Sequence, residues 1–395
     1  MSFLIATSAM KILQWISLIL ATSGSLYAVL SLLAMIRFRS KPSPPPKHTF
    51  ASWPPVTVLK PVHGLEKTLR ENLRSTCMQD YPLYQVVFSV QELDDPAIPL
   101  LKQIQQEFGS DLVTLAVENC RTGTNGKINN LIGGLQHARH DILVISDSDI
   151  LLRPDYLKAV VAPLADPEVG CACTLYKASG AESWFEKMEL LTLNADLMTN
   201  VIFAHVTGAS KFLLGASTAL RRSTLEGIGG LAGLADYLVE DNEMGRRIWT
   251  SGKKLAVVPY LVDTIIDLRS PAQWWNHQVY WDQNSRAARP YAYFATVVIR
   301  PVPFAFLYAI ARMGDATGLL VLASVFFLRL ATSAVTLAWG LKDREGLKSL
   351  WLLIPHDLLA LASWVLAYTK KTTVWRNAQF ILTRDGRIVA REGKS

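Results

Sequence analysis

Cysteine is scarce in this chain, which has four in 395 residues. Cys171 and Cys173 alternate along a predicted strand, so they share one face and cannot easily pair with each other. Cys77 and Cys120 lie in a segment that we expect in the cytosol, where disulfides are rare. The sequence therefore argues against a disulfide framework, and we expect all four thiols in the core.

One long stretch lacks charge, because no Asp, Glu, Lys or Arg occurs from Ile12 to Ile36. As a helix rising ~1.5 Å per residue, this stretch exceeds the ~30 Å hydrocarbon core of a bilayer. A cleaved signal peptide has a shorter apolar region of ~7 to 15 residues, and no convincing small-residue cleavage site occurs before Arg37. We therefore predict a membrane anchor.

Basic residues flank the anchor unequally: Lys11 precedes it, whereas Arg37, Arg39, Lys41 and Lys47 follow it. By the positive-inside rule, this predicts an integral membrane protein whose catalytic domain is cytosolic. The net charge of +7 suits a protein lying against anionic lipid headgroups. The basic residues are dispersed and form no nucleic-acid-binding motif, so we expect no nucleic acid and no obligate protein partner.

Composition divides the chain into five predicted segments. Residues 1–53 form the anchor and a Pro-rich linker, and residues 54–268 form the cytosolic catalytic domain. Residues 269–313 mix aromatic and basic side chains, which suits interfacial helices and a segment that could be re-entrant. Residues 314–369 form a transmembrane hairpin, and residues 370–395 form a basic cytosolic tail.

The number of C-terminal spans is set by three apolar stretches, at 294–311, 316–340 and 347–368. The first contains Arg300, Pro301 and Pro303, so it could be re-entrant instead of spanning. The basic tail favours an even number of spans after the catalytic domain, hence three in all. Three basic residues in the loop between the last two stretches argue against this arrangement, because they favour a cytosolic position for that loop: Lys342, Arg344 and Lys348.

Strands and helices alternate through the central domain, which predicts an α/β fold with a parallel sheet. We predict strands at 56–60, 84–90, 112–117 and 142–146, with extensions at 169–175 and 255–259. We predict helices at 66–77, 97–108, 128–138, 156–162 and 237–249.

Asp147-Ser148-Asp149 ends the apolar run 142–145. Carboxylates at the C-terminal end of a buried strand project into the crevice where open α/β sheets bind ligands. Mg²⁺ or Mn²⁺ prefers hard oxygen ligands and usually takes one or two carboxylates plus substrate phosphates. The pair therefore predicts a metal-diphosphate site, with an acidic turn after a strand as the alternative.

Two further positions could meet the same nucleotide. Asp94 and Asp95 follow a predicted strand and could accept hydrogen bonds from a uracil or ribose, although they could equally cap a helix. Lys127 opens a helix whose free N–H groups could bind a diphosphate, although it could equally be solvated.

A last acidic pair, Glu240-Asp241, leads into another predicted helix. A sugar-acceptor hydroxyl is a poor nucleophile, and a carboxylate within hydrogen-bond reach can take its proton. We predict Asp241 as this base and Glu240 as the nearest rival; a purely capping role is the alternative.

These motifs together resemble the ceramide glucosyltransferase family. The resemblance rests on their order and spacing from the anchor to the tail: 90–98, 127–131, 147–149, 240–241 and Trp375-Arg376. It implies a GT-A-type nucleotide-sugar-binding domain and an inverting, metal-dependent transfer from a UDP-sugar to a lipid hydroxyl at the cytosolic face.

Roles carried over from the family follow these positions. Asp95 would be the first essential acid and Asp147 the second, with Asp149 completing the metal motif and Asp241 acting as the base. Hopanoid-type glycosyltransferases are also similar.

The sequence departs from the family pattern at its last motif, where Gln278-Val279-Tyr280-Trp281 has Tyr280 in the place of an expected Arg. A Tyr offers one hydroxyl where Arg offers a fixed cationic fork. We hypothesise that Arg286 or Arg289 supplies the charge. We also expect the lipid tail among the tryptophans of this region, Trp274, Trp275 and Trp281.

The leading hypothesis is transfer of glucose from UDP-glucose to the primary hydroxyl of ceramide or a ceramide-like lipid, in sphingolipid metabolism. The nearest alternative transfers N-acetylglucosamine or another hexose to a hopanoid lipid alcohol. A processive polysaccharide synthase would need more spans than this sequence offers. A catalytically silent lipid-binding protein is the alternative of another class, but it would not explain the retained acids.

Overall fold

A computed structural model describes residues 2–40, 48–369, 372–375, 378–383 and 386–390. The chain forms two compact units. The unit that contains the predicted site acids, which we call the catalytic unit, comprises residues 43–180, 211–267 and 372–395. The other, which we call the helical unit, comprises residues 1–42, 181–210 and 268–371.

An eight-stranded sheet forms the centre of the catalytic unit. Its strands are β1 (Val56–Pro61), β2 (Tyr84–Val90), β3 (Val113–Val117), β4 (Ile142–Ser146), β5 (Ile150–Leu151), β6 (Val169–Ser179), β7 (Ser217–Arg221) and β8 (Lys254–Ile265). The strand order is β3-β2-β1-β4-β7-β6-β8-β5. The parallel pairs are β1 with β2, β1 with β4, β2 with β3, and β6 with β8. Strand β7 pairs antiparallel with β4 and β6, and β5 pairs antiparallel with β8.

Helices cover this sheet. They are Leu69–Cys77, Ile98–Phe108, Gly126–Leu135, Tyr156–Val161, Arg222–Gly227 and Glu240–Thr250, with 3-10 turns at Ala162–Ala165 and Ala232–Leu234. Every residue of β1 and β4 is buried, as expected of central strands covered on both faces. The predicted mostly parallel α/β fold is therefore confirmed.

A smaller sheet ends the chain, with the antiparallel order β11-β10-β9. Its strands are β9 (Thr372–Trp375), β10 (Ala378–Leu382) and β11 (Ile388–Ala390). Arg376, the second residue of the tail motif, lies outside the described residues.

The helical unit contains the apolar segments. Its helices are Ser2–Ser40, Trp184–Leu191, Met198–Val206, Pro271–Ala288, Pro290–Ala295, Pro301–Ala311, Ala316–Val335, Arg344–Lys348 and Leu353–Thr369. Two π-helical turns, Thr192–Leu197 and Thr336–Gly340, and two 3-10 turns, Thr296–Ile299 and Leu350–Leu352, join some of them.

Three described helices are long and apolar enough to cross a membrane: Ser8–Ser40, Ala316–Gly340 and Leu350–Thr369. The predicted re-entrant stretch is a helix pair, Pro290–Ile299 and Pro301–Ala311, bent by 52°. Counting that pair as one span would make four. The anchor packs closely on this pair, because a Cβ added to Gly24 would lie 2.7 Å from the backbone nitrogen of Pro301.

The two units differ from the predicted segments in two places. Residues 181–210, which we predicted within the catalytic domain, belong to the helical unit. The tail belongs to the catalytic unit. Cys77, Cys171 and Cys173 are buried as predicted, but Cys120 is only half-buried because it lies in the loop after β3.

Candidate active site

Lys127 connects two of the predicted acidic motifs within the catalytic unit. Its ammonium Nζ lies 2.8 Å from Oδ1 of Asp147, just after β4, and 3.0 Å from Oε1 of Glu240, which opens the helix Glu240–Thr250. Burial opposes the charge of Lys127, but attraction to the carboxylates outweighs it and raises the pKa. Residues more than a hundred positions apart are thus joined at one site.

Asn125 forms hydrogen bonds at the starts of both helices of this site, Gly126–Leu135 and Glu240–Thr250. Its Oδ1 accepts hydrogen bonds from the N–H groups of Lys127 at 3.0 Å and Ile128 at 3.2 Å, so it caps the helix Gly126–Leu135. Its Nδ2 donates to the carbonyl oxygen of Tyr237 at 2.8 Å and to Oε2 of Glu240 at 3.3 Å. Our prediction missed Asn125, although an Asn just before a helix is a usual capping signal.

Asp149 is half-buried, one residue beyond Ser148 in the loop after β4. Its Oδ2 accepts a hydrogen bond from the Thr264 hydroxyl at 2.7 Å. Burial, together with repulsion from Asp147, raises the pKa of the Asp149 carboxyl. A cation near both carboxylates would relieve this repulsion.

Lys60 is a fully buried cation that sequence reasoning missed. It is 0% exposed on β1, and its Nζ donates to the carbonyl oxygen of Ile150 at 3.2 Å and to the Ser146 hydroxyl at 3.4 Å. Burial lowers the pKa of Lys60 to about 8, against the attraction of Asp149 and Asp147. Lys60 therefore fixes the loop that follows β4 and adds positive charge near its two acids.

The carboxyl of Asp241, the predicted base, has a raised pKa. Burial, and then repulsion from Glu240, raises its pKa to about 6. Its Oδ1 accepts the N–H of Asn242 at 2.7 Å. A Cβ added to Gly215 would lie 2.8 Å from Oδ2 of Asp241, so only glycine leaves room beside this carboxylate.

Asp95 is buried in a supporting position. Its two oxygens accept the N–H of Gly64, each at 3.0 Å, and Oδ1 also accepts the N–H of Ala97 at 2.8 Å. Oδ2 lies 3.2 Å from Nδ1 of His63. The carboxylate therefore holds the loop after β1, and Asp94 beside it is exposed. Contact of either acid with the nucleotide stays a prediction.

The residues Asp147 and Asp149 suit the predicted divalent metal. Both are carboxylates in one short loop, with Oδ1 of Asp147 paired with Lys127 and Oδ2 of Asp149 accepting the Thr264 hydroxyl, so each has a second oxygen to offer a metal. Hard oxygen ligands of this kind are what Mg²⁺ and Mn²⁺ bind. The donor set thus fits the ion.

A second group of metal-ligand type lies in the helical unit. Ligand atoms of Asp196, His356 and Asp357 come within 4.8 Å of one another, so they could hold a metal. However, Arg329 donates to both oxygens of Asp357 at 2.8 and 2.9 Å and to Asp196 at 2.6 Å. One guanidinium already pairs with both carboxylates, which favours an ion-pair network over a metal site.

Comparison with known proteins identifies the family. The profile of glycosyl transferase family 21 matches residues 16–388. This chain belongs to that family.

Among curated proteins, this member of family 21 is 27% identical over 251 residues to ceramide glucosyltransferase 1 of Caenorhabditis elegans, covering 60% of this chain and 52% of that protein. It is 25% identical over 214 residues to ceramide glucosyltransferase 3 of the same species, covering 52% and 45%. The chain spans about half the length of the curated relatives it matches.

Among solved structures, the family 21 chain is similar to the mannosyltransferase PcManGT from Pyrobaculum calidifontis, solved in complex with GDP-Man and Mn²⁺. The TM-score is 0.56 at 20% identity, covering 90% of this chain and 99% of that one. At this identity the likeness establishes the fold alone, which is of the GT-A type.

The last family motif lies on the helix Pro271–Ala288 of the helical unit. The indole N–H of Trp281 donates to Nε2 of His277 at 2.9 Å, and the His277 ring stacks on Tyr280 with centroids 6.1 Å apart. Nδ1 of His277 lies 2.8 Å from Oε1 of Glu189. His277 thus joins the two motif aromatics, a role that sequence reasoning missed.

The other predicted acceptor residues pack inside the helical unit. Gln278 is buried, donating to Glu189 and accepting the Thr192 hydroxyl at 3.0 Å. Trp274 is buried between Trp184 and Trp275.

The two candidate replacement arginines lie at the end of the same helix. The guanidinium of Arg286 lies over the ring of Tyr368, 5.4 Å from its centroid. Burial lowers the pKa of Arg289. Whether either arginine supplies the missing charge stays a prediction, and loss of activity in Arg286→Ala or Arg289→Ala would support it.

Proposed function

We propose that this protein is a membrane-bound inverting glucosyltransferase that transfers glucose from UDP-glucose to the primary hydroxyl of a ceramide-like lipid. The observation that carries the proposal is the bridge from Lys127 to Asp147 and Glu240. It joins the predicted donor residues to the acidic pair that contains the base. The similarity to ceramide glucosyltransferases supports glucose and a sphingolipid as substrates.

On this proposal, the donor diphosphate binds beside Lys127, at the start of the helix Gly126–Leu135. Free N–H groups and the helix dipole favour an anion there. Asp147 and Asp149 would hold the divalent metal. When bound, the metal stabilises negative charge on the departing diphosphate.

Asp241 takes the proton of the acceptor hydroxyl as its oxygen attacks the anomeric carbon. A bond forms between that oxygen and the anomeric carbon, the bond from the carbon to the diphosphate oxygen breaks, and UDP leaves from the opposite face. The anomeric configuration therefore inverts. A base with a pKa of about 6 is ionised near neutral pH and still basic enough to accept a proton.

Membrane attachment fits a lipid acceptor. Three helices of the described chain are long and apolar enough to span a bilayer. The basic residues that follow the anchor, Arg37, Arg39, Lys41 and Lys47, favour a cytosolic catalytic unit. A water-insoluble acceptor and a water-soluble donor would then meet at the membrane surface.

The test is a transfer assay with the full chain in lipid nanodiscs. Labelled UDP-glucose and UDP-N-acetylglucosamine are each offered with ceramide or with a hopanoid alcohol, in the presence of Mg²⁺ or Mn²⁺. We expect glucosylated ceramide. A product from the hopanoid alone, or none from either lipid, would overturn the proposed substrates.

Variants separate the proposed roles. Asp147→Ala and Asp149→Ala should weaken binding of UDP with metal at least about tenfold, since they remove metal ligands. Asp241→Asn should lower kcat by roughly 10² to 10⁴ and leave UDP binding nearly unchanged, because a base acts in the transition state. Equal loss of UDP binding in all three variants would contradict these roles.

A further inference from the structure

The C-terminal strand of the catalytic unit pairs with the segment that leads into the acidic helix. The N–H of Ile388 donates to the carbonyl oxygen of Asp236 at 2.8 Å, and the N–H of Leu238 donates to that of Gly386 at 3.2 Å. The Ile388 side chain is buried at 1% exposure. The tail therefore adds an antiparallel strand to a loop that would otherwise leave backbone groups without protein partners.

The same strand also contacts the loop before the helix that carries Lys127. The hydroxyl of Thr124 lies 2.9 Å from the carbonyl oxygen of Ile388 and 3.0 Å from Oδ1 of Asp236. Oδ1 of Asp236 also accepts the N–H of Thr124 at 3.0 Å, and the N–H of Asn125 donates to the carbonyl oxygen of Ala235 at 2.7 Å. Three segments distant in sequence thus meet at one place.

Tyr237 lies at the middle of this assembly. It forms an isolated antiparallel bridge with Arg387, and the guanidinium of that residue lies 5.3 Å from its ring centroid. The guanidinium of Arg247 lies 5.4 Å from the same centroid. The Tyr237 carbonyl accepts a hydrogen bond from Asn125, which also contacts Glu240. The tail is therefore connected to Glu240 through Tyr237 and Asn125.

We propose that residues 386–388 are a positioning element of the active site. They hold residues 235–239 so that Glu240 stays against Lys127 and Asp241 keeps the orientation needed to reach the acceptor hydroxyl. The expected effect of this element on kcat rests on the proposed function, whereas its effect on the structure of residues 235–239 does not. The family profile extends to residue 388, so it includes the start of this strand.

Two matched polar substitutions test the proposal. Ile388→Asn places an amide at the buried position, and Val389→Asn places the same amide on the neighbouring side chain, which is 51% exposed. Ile388→Val serves as the conservative rescue. Each full-length protein is studied in nanodiscs by hydrogen–deuterium exchange, by UDP binding with Mn²⁺, and by transfer kinetics.

For Ile388→Asn we expect amide exchange in residues 235–244 to accelerate at least about tenfold and kcat to fall about tenfold, with the dissociation constant of UDP within about threefold of wild type. The acid limb of the kcat profile should also move to lower pH, because a loosened Asp241 is better hydrated. Ile388→Val and Val389→Asn should resemble wild type in all measurements.

Unchanged exchange in Ile388→Asn would overturn the proposal, and so would unchanged kcat despite faster exchange. Equal effects of Val389→Asn would also overturn it. If wild type transfers no sugar, the proposed function fails, while the exchange data still decide whether the tail holds residues 235–244. Loss of UDP binding in step with kcat would indicate general unfolding instead of positioning and would count against the proposal.

Discussion

At the scale of single residues, the candidate site places lysine ammonium groups close to several carboxylates. Lys127 and Lys60 supply positive charge near acids that come from different parts of the chain, Asp147, Asp149 and Glu240. A buried acid without such cations would be costly. The pKa values of Lys60, Lys127 and Asp241 therefore depend on their charged neighbours, and removing one neighbour should move the pKa of the other group in a predictable direction.

Removing the charge of Glu240 should change the pH dependence of catalysis. Repulsion from Glu240 is one cause of the raised pKa of Asp241, about 6, and a base must be deprotonated to act. Wild-type kcat should therefore fall below about pH 6, and Glu240→Gln should move this acid limb to lower pH. The measurement is kcat against pH, with Glu226→Gln as the control because Glu226 is exposed. A limb that moves to higher pH, or equally in the control, would contradict the assignment of Asp241.

Lys127 should compete with the metal before the nucleotide binds. Its ammonium lies 2.8 Å from a predicted metal ligand, Asp147, and a cation there repels a second cation. We expect Lys127→Gln to bind Mn²⁺ about tenfold more tightly without UDP, yet to bind UDP more weakly once metal is present. Isothermal titration of metal and nucleotide checks both expectations. Lys158→Gln, which removes a surface pair with Asp80, is the control. Weaker metal binding by Lys127→Gln would exclude the competition.

At the scale of elements, Arg329 joins helices of the helical unit. It lies on the helix Ala316–Val335 and pairs with Asp357 on the helix Leu353–Thr369 and with Asp196 on a π-helical turn. His356 extends this network, since its Nε2 lies 2.9 Å from the Thr192 hydroxyl. Charged groups inside apolar helices are costly unless they are paired, so the network should hold these elements together.

Removal of the guanidinium should therefore destabilise the helical unit. Arg329→Met leaves two carboxylates without their cation, and breaking a buried pair in this way costs roughly 3 to 5 kcal/mol. Thermal unfolding in detergent is the measurement. Arg312→Met removes a surface pair with Asp315 and should change the midpoint little. A midpoint for Arg329→Met equal to wild type would exclude the network as a stabilising feature. If a metal instead stabilises this group, a chelator should lower the midpoint of wild type.

At the scale of the whole molecule, local sequence patterns predicted the apolar strands of the sheet better than the helix bounds and the polar strand β7. The strands at 84–90 and 142–146 match the prediction at both ends, because each is an apolar run bounded by turn residues. The helix predicted at 66–77 begins later, at Leu69. The short strand β7 was missed, since Ser217 and Thr218 make its sequence polar.

The motifs indicated the four acids of the candidate site, Asp147, Asp149, Glu240 and Asp241, but the long-range contacts that support them could not be read from the sequence. Lys60 sits in an apolar strand, and only the fold shows that its ammonium turns toward the loop after β4. Asn125 acts through contacts more than a hundred residues away. The membership of residues 181–210 in the helical unit likewise depends on long-range packing.

Membrane topology gives a test at this scale. Gln14, near the start of the anchor, donates to the carbonyl oxygen of Ala311 at 2.7 Å, whereas Met35, near its end, lies against Gly340. If the end of the anchor faces the cytosol, residue 313 lies on the opposite side and residue 344 on the cytosolic side. We therefore expect Met313→Cys to react with an impermeant maleimide in intact cells, and Arg344→Cys to react only after permeabilisation. Both side chains are exposed, so reactivity should depend on the side of the membrane. The parent protein, with its half-buried Cys120, gives the background. Labelling of both positions from one side would contradict three spans.

The pairing of Ile388 with Asp236 has a consequence for how often the chain crosses the bilayer. A strand can join the catalytic unit only if it is on the same side of the membrane as that unit. The chain leaves the unit after Asp267 and returns to it at Thr372, so it must cross an even number of times in between. Two crossings satisfy this parity: the bent helix pair, whose last residue Ala311 contacts Gln14 near the start of the anchor, and the helix Ala316–Gly340, whose last residue lies against Met35 near its end. The helix Leu350–Thr369 must then begin and end on the face that holds the catalytic unit, since one further crossing would separate the tail strand from its partner.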